Sequence, residues 1–166
     1  MRGNIAVAAL AALLLAGGCA VAPPAPGTPR AALQGIWGTP TAEHALPNGG
    51  HRLEYPSGPY GRTTWMVDLD AAGRVQQARQ VLNEAEFQAV MSTPNLRRAA
   101  VLRRLGMPGE VRAFGGAWGT NTGQIWSWRY PTNDCLWFEM TLSDDGRVTG
   151  GGYGIDPACD TPPARD

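Results

Sequence analysis

Two stretches of this chain carry the same order of structural signals. A repeated unit constrains a fold strongly, because each copy must bury its apolar face in the same way. The clearer copy opens at Asn83-Glu84-Ala85-Glu86, where an Asn cap with Glu three residues later is a capping box that starts a short helix. Thr93-Pro94 repeats the start signal. Leu96, Ala99, Val101, Leu102 and Leu105 then lay an apolar stripe on a second helix, which Gly106 ends and Pro108 seals. Three strands follow, over about 124–130, 136–142 and 147–155. The turn Ser143-Asp144-Asp145-Gly146 joins the last two.

The other copy keeps this order. Thr28-Pro29 caps a short helix through Leu33, and Gly35-Ile36-Trp37-Gly38-Thr39-Pro40 corresponds to Leu105-Gly106-Met107-Pro108. His51-Arg52-Leu53-Glu54-Tyr55-Pro56 corresponds to the stretch from Ile125 to Tyr130-Pro131, and Thr63 to Leu69 is the second strand. Asp70-Ala71-Ala72-Gly73-Arg74-Val75 matches Asp144-Asp145-Gly146-Arg147-Val148, one residue longer. The expected fold is α+β, with two tandem units over 30–82 and 83–160 and a tail over 161–166. Each unit is read as short helices followed by a three-stranded antiparallel meander.

Strand parity sorts the side chains. Trp126, Trp128 and Tyr130 share a face with one another, as do Leu136, Phe138, Met140 and Leu142, and this apolar set should pack on the helices. Ser127, Arg129, Trp137, Glu139 and Thr141 point the other way. In the first unit His51, Leu53 and Tyr55 run in phase with Trp65, Val67 and Leu69, leaving Arg52, Glu54, Thr64, Met66 and Asp68 opposite. Trp137 is an aromatic among charges. Such a residue is a candidate binding anchor, or it is covered by a loop or by the other unit.

The front of the chain reads as an address. Met1-Arg2-Gly3-Asn4 carries one positive charge, and an uninterrupted apolar run from Ile5 to Leu15 follows. That length suits a secretory signal and is too short for a stable membrane span. Small residues at Ala16-Gly17-Gly18 precede Cys19, so residues 1–18 are expected to be cleaved and Cys19 lipidated. An ordinary signal cut near Ala20 or Ala22 is the alternative. Residues 19–29 are Pro-rich and read as an extended tether. No Asp follows Cys19, which points to the periplasmic face of the outer membrane. The membrane contact would run through the lipid alone.

Composition adds a few limits. With 14 basic and 14 acidic residues no global field favours nucleic acid or an anionic surface. Of three Cys, Cys19 would take the lipid, leaving Cys135 and Cys159 as a pair suited to a disulfide in an oxidising compartment. A metal pair or two buried thiols are the other readings.

The segments Leu105-Gly106-Met107-Pro108, Trp126-Ser127-Trp128-Arg129-Tyr130 and Asp145-Gly146-Arg147-Val148, in this order, resemble the BamE/SmpA/OmlA family. These are small outer-membrane lipoproteins associated with the machinery that folds β-barrel proteins. The resemblance covers about 83–155 well and 29–80 more loosely. It implies a non-catalytic partner of that machinery or of another envelope protein, although this chain carries two units where the family has one. The tandem arrangement is similar to β-lactamase inhibitory protein, which implies a sheet surface that binds a partner.

No residue set argues for catalysis or for a cofactor. His44 and His51 lack suitably placed Cys for a metal site. Asp68-Leu69-Asp70-Ala71-Ala72-Gly73 opens like a calcium loop, but Arg79 stands where a bidentate Glu is needed. Ser57-Gly58-Pro59-Tyr60-Gly61 lacks the strand-to-helix setting of a nucleophile elbow. Arg97, Arg98, Arg103 and Arg104 crowd one helix, either as a solvated face or as a contact to lipid phosphates. Trp118, in the Gly-rich loop 115–123, joins Arg129, Trp137 and Glu139 as a candidate partner contact. The expected function is a protein-interaction module in envelope assembly or integrity. An inhibitor or regulator of a periplasmic enzyme is the alternative, and a small hydrolase a weaker one.

Overall fold

The computed structural model describes residues 22–115 and 122–159. The chain order is α1 (Arg30–Trp37), β1 (Ala42–Ala45), β2 (His51–Pro56), β3 (Thr64–Leu69), β4 (Val75–Gln80), α2 (Glu84–Met91), α3 (Arg98–Leu105), β5 (Glu110–Phe114), β6 (Gly123–Arg129), β7 (Leu136–Ser143) and β8 (Val148–Ile155). The strands form two four-stranded antiparallel sheets in sequential order, β1-β2-β3-β4 and β5-β6-β7-β8. No helix of the described residues is long and apolar enough to cross a membrane.

The three-stranded meander is therefore corrected: each sheet has a fourth strand, β1 or β5, laid on the edge before the expected three. Ala42 pairs with Glu54 and Ala45 with His51, while Glu110 pairs with Ser127 and Phe114 with Gly123. These edges are held by main-chain bonds to one neighbour, so short polar segments such as Ala42-Glu43-His44-Ala45 serve without the alternation that marks an internal strand.

The repeat extends to single hydrogen bonds. The Arg30 N–H donates to Gly73 O and the Val75 N–H to Thr28 O; the Arg98 N–H donates to Gly146 O and the Val148 N–H to Leu96 O. Each pair zips the entry of a helix (α1 or α3) to the turn of the last hairpin. Both helices end on a glycine with positive φ, Gly38 at 77° and Gly106 at 80°, a conformation that favours glycine. Both last hairpins carry a register shift, at Asp68/Leu69 and at Thr141/Leu142. The helix α2, started by Asn83 accepting the Glu86 N–H at 3.1 Å, belongs to the second unit alone among the described residues.

Each sheet buries one apolar face under helices. In the first unit Leu33 of α1 packs with Leu53, Tyr55, Val67, Leu69 and Val75, and Trp37 rests edge-on against Tyr55 and Trp65. In the second, Phe87 and Val90 of α2 and Val101 and Leu105 of α3 cover Trp126, Trp128, Phe138, Met140 and Leu142. Phe87 stacks on Phe138 at 4.2 Å between ring centroids. Burying a side chain of this size contributes about 2–3 kcal/mol.

The opposite face of the first sheet is also buried. Glu54 and Met66 are inaccessible and Asp68 is nearly so, because the second unit's helices meet this face. The Arg52 guanidinium, paired with Asp68 at 2.6 and 2.7 Å, also donates to Arg103 O at the end of α3. Glu86 of α2 accepts from Arg79 of β4 and from Arg104 of α3. The Met107 N–H donates to Glu54 Oε1. The two units thus join through paired and hydrogen-bonded charges, as buried ions require.

Candidate functional site

The other face of the second sheet is built from alternate residues that turn away from the helices. Register brings Arg112 of β5 beside Ile125, Ser127 of β6 beside Glu139 of β7, and Arg129 beside Trp137. On the next strand Gly150, Gly152 and Gly154 stand opposite Thr141, Glu139 and Trp137. The face is consequently charged along its middle and bare of side chains along β8.

Glu139 is the hub. One carboxylate oxygen accepts from the Arg112 guanidinium and, at 3.1 Å, from the Ser127 hydroxyl. The carboxylate also leans over β8, where a Cβ on Gly154 would lie 2.8 Å from Oε2. Both ion-pair side chains remain partly exposed, 44% for Arg112 and 25% for Glu139, so a partner can reach them.

A second pair closes the end of the face. Arg129 meets the Asp156 carboxylate at 2.9 Å and lies over the Trp137 ring, 5.8 Å from its centroid. Burial would raise the Asp156 pKa, but the Ala158 N–H, the Trp137 side chain and the Arg129 guanidinium outweigh it and hold the carboxyl below the usual range. The disulfide Cys135–Cys159, with Cα atoms 5.5 Å apart, fixes this corner. It ties the β6–β7 turn to the turn after β8, where the Asp156 N–H donates to Cys135 O and the Cys159 N–H to Asp156 O.

The candidate residues fall as follows. Cys135 and Cys159 are bonded to each other. Arg129 and Glu139 lie on one face, half-buried and partnered. Trp137, on that same face, is only 3% exposed, so its ring is not an open anchor; Arg129 covers it. Cys19 and Trp118 lie outside the described residues.

The four arginines do not make one cationic surface. Arg104 is held by Glu86 at 2.7 Å, and Arg97 meets Asp145 at 3.3 Å. Arg98 lies over the Trp126 ring at 5.7 Å. Arg103 is exposed, and its carbonyl caps onto Arg52. Helical period spreads these positions around α3, and neighbouring acids and aromatics take three of the guanidinium groups. The open groove at the start of α3 is lined by Arg97, Arg98, Asp144, Asp145 and Gly146, both signs together.

Sequence reasoning missed three polar groupings. His44 Nε2 lies 3.6 Å from Glu54 Oε2 inside the joint between the units. Glu84 accepts from the phenols of Tyr130 and Tyr153, at 3.0 and 2.8 Å. Burial and then the Glu84 hydrogen bond push the Tyr153 phenol up to about 12. Asp156 and Arg112, which complete the sheet face, also went unmarked; their parity with Arg129 and Glu139 was the only available signal. Among the described residues no group of three or more His, Cys, Asp and Glu is placed to hold a metal ion.

Comparison with known proteins adds little. No family model matches the chain, and no curated protein matches it. Among solved structures it is similar to a "putative beta-lactamase inhibitor protein" from Streptococcus mutans, at 11% identity and a TM-score of 0.35, over 77% of this chain and 83% of that one. The likeness is distant, and the BamE/SmpA/OmlA resemblance has no matching family model beside it.

Proposed function

We propose that this chain is a non-catalytic protein-interaction module that meets its partner with the outer face of the second sheet. The observation that carries the reading is the partly exposed pair Arg112–Glu139, tied to Ser127, with Arg129 beside it held by the buried Asp156: charges of both signs fixed on a disulfide-braced sheet. Charges held in this way present a fixed pattern to a partner, which gives specificity and encounter rate. Glu110, also on this face, lies 3.9 Å from Arg112 and extends the row. The charged groups lie along a sheet and do not converge on a reacting centre, as catalysis would require.

In this reading Cys19 carries the lipid and the Pro-rich stretch before Gly27 is the tether, since Gly27 and Thr28 are bonded to Val75, and it holds the module at the periplasmic face of the outer membrane. The partner is an envelope protein, with the β-barrel assembly machinery as one candidate. A periplasmic enzyme held inactive by the same face is the other.

The test is a crosslinked pull-down from cell envelopes with wild type, Glu139→Arg and Arg112→Glu. The reading expects one partner recovered with wild type and lost with both variants at unchanged protein level. Equal recovery with all three would remove the sheet face from the account. If the partner is a hydrolase whose activity falls on binding, the module is an inhibitor.

A further inference from the structure

The four edge strands of the two sheets are not guarded alike. The edge β1 is four residues long and carries Glu43 and His44; β4 carries Arg79 and three Gln; β5 carries Glu110 and Arg112. Charge and shortness are the usual means by which an edge avoids pairing with another chain. The fourth edge, β8, has neither. It runs eight residues, Val148-Thr149-Gly150-Gly151-Gly152-Tyr153-Gly154-Ile155, with no charge and no proline.

Its free side can be located from hydrogen bonds. The Tyr130 N–H donates to Leu136 O, so Leu136, Phe138 and Met140 turn their main chain toward β6. Trp137, Glu139 and Thr141 therefore bond β8 through their register partners Gly154, Gly152 and Gly150. The Asp156 N–H to Cys135 O continues the same alternation. The main-chain groups of Gly151, Tyr153 and Ile155 then point away from the sheet, and no main-chain partner meets them among the described residues. Only the start of β8 is covered, where the Val148 N–H reaches Leu96 O.

Side chains around this edge favour an added strand. Ile155 is 66% exposed and Tyr153 41% exposed, both on the helix side of the sheet. The Tyr153 ring is held in place by Glu84 and by Tyr130, so the apolar border is preorganised. On the other side a Cβ at Gly150 or Gly152 would meet nothing within 4 Å, which leaves room for a bulky side chain to lie across the glycines.

We propose that β8 is a strand-addition site that takes an extended, uncharged segment of a partner protein with apolar side chains at alternate positions. The segment would pair with the free N–H and C=O groups of Gly151, Tyr153 and Ile155. Its apolar residues on one side would meet Tyr153 and Ile155, and its larger residues on the other would cover the glycine row. The glycine row borders the charged outer face, with the Glu139 carboxylate against Gly154, so the signature of this mode is read at the free edge, at the amides of residues 151, 153 and 155.

The probe is a synthetic peptide of alternating Thr and Val with a central Phe, compared with the same peptide N-methylated at alternate amides. Amide exchange and chemical shifts are read by NMR on the isotope-labelled protein. The expected result is slowed exchange and shifted resonances at the amides of residues 151, 153 and 155 with the first peptide and not with the second. Ile155→Pro, which removes an outward N–H that bonds nothing in the sheet, should abolish the response without unfolding the chain. Amides 151, 153 and 155 that are already protected in dilute protein alone, or that ignore the peptide, overturn the proposal. Protection that grows with protein concentration and no peptide overturns it in favour of a second copy of this chain.

Discussion

The Met107 N–H donates to Glu54 Oε1 at 2.8 Å, so the turn that ends α3 of the second unit is bonded to a carboxylate buried in the first unit's sheet. This bond explains why the two repeats are not independent. Gly106 sits against the same carboxylate, and a Cβ there would lie 2.7 Å from Glu54 Oε1. The equivalent Gly38 has nothing within 4 Å of its notional Cβ.

The repeat therefore offers an internal control. Gly38→Ala should cost about 1–3 kcal/mol from backbone strain alone. Gly106→Ala adds the collision with Glu54 to the same strain and should cost clearly more. Urea unfolding of both variants checks this, and equal costs would mean that the joint relaxes freely around Glu54.

Asp68 links the joint to acid stability. Burial would raise its pKa, but hydrogen bonds from Arg52 and Gln77 outweigh burial and hold the carboxyl below the usual range. Its folded pKa is depressed, so its contribution is fully present above the unfolded value of about 4 and is lost as pH falls through the folded one. Asp68→Asn should lower stability at neutral pH by about 1.5–3 kcal/mol. It should also flatten the decline of stability below pH about 4. An unchanged acid limb in the variant would place the titrating group elsewhere.

The disulfide corner predicts matched losses. Cys135→Ser should lower stability by about 3 kcal/mol, and reductant should lower the wild type by the same amount. Because the bridge also positions Asp156 against Arg129, either treatment should raise Trp137 exposure, read by its fluorescence. A variant as stable as the oxidised wild type would show that the turns hold without the bond.

Tyr153 is the group to follow at high pH. Its phenol, pushed up to about 12, ionises above the unfolded value of about 10. The stability it contributes is present below that lower value and is lost as pH rises toward the upper one. Ultraviolet titration should show late phenolates, since burial raises Tyr55 and the Glu84 hydrogen bond raises Tyr130 as well, and Glu84→Gln should bring down those of Tyr153 and Tyr130 but not that of Tyr55. A Tyr153 phenolate that ignores Glu84→Gln would assign the whole effect to burial.

Much of the fold was legible in the sequence because its turns and caps are local. Asn83 with Glu86, Gly106 and the Gly-Arg-Val turns each specify geometry within a few residues, and the repeated turns mark the two units, whereas α1 runs past the expected end at Leu33 to Trp37 and α3 starts at Arg98, beyond the Thr93-Pro94 signal. The alternation of Trp126, Trp128, Phe138 and Met140 placed the second core for the same reason. The strands β1 and β5 were not legible, since an edge held by main-chain bonds needs no apolar pattern. Trp137 had the right side of the sheet, but what covers it comes from Arg129 and a turn closed by the disulfide. Long-range partners likewise decided the fate of Arg104 and Glu54, which no window of sequence contains.

The most direct test of the interaction reading is photocrosslinking from single positions of the full-length protein in intact cell envelopes. A photoreactive residue at Arg129 or at Glu110 should give a discrete adduct with one protein, and that adduct should disappear with Arg112→Glu. Adducts from helix α1, on the first unit, with none from the outer face of the second sheet would contradict the account.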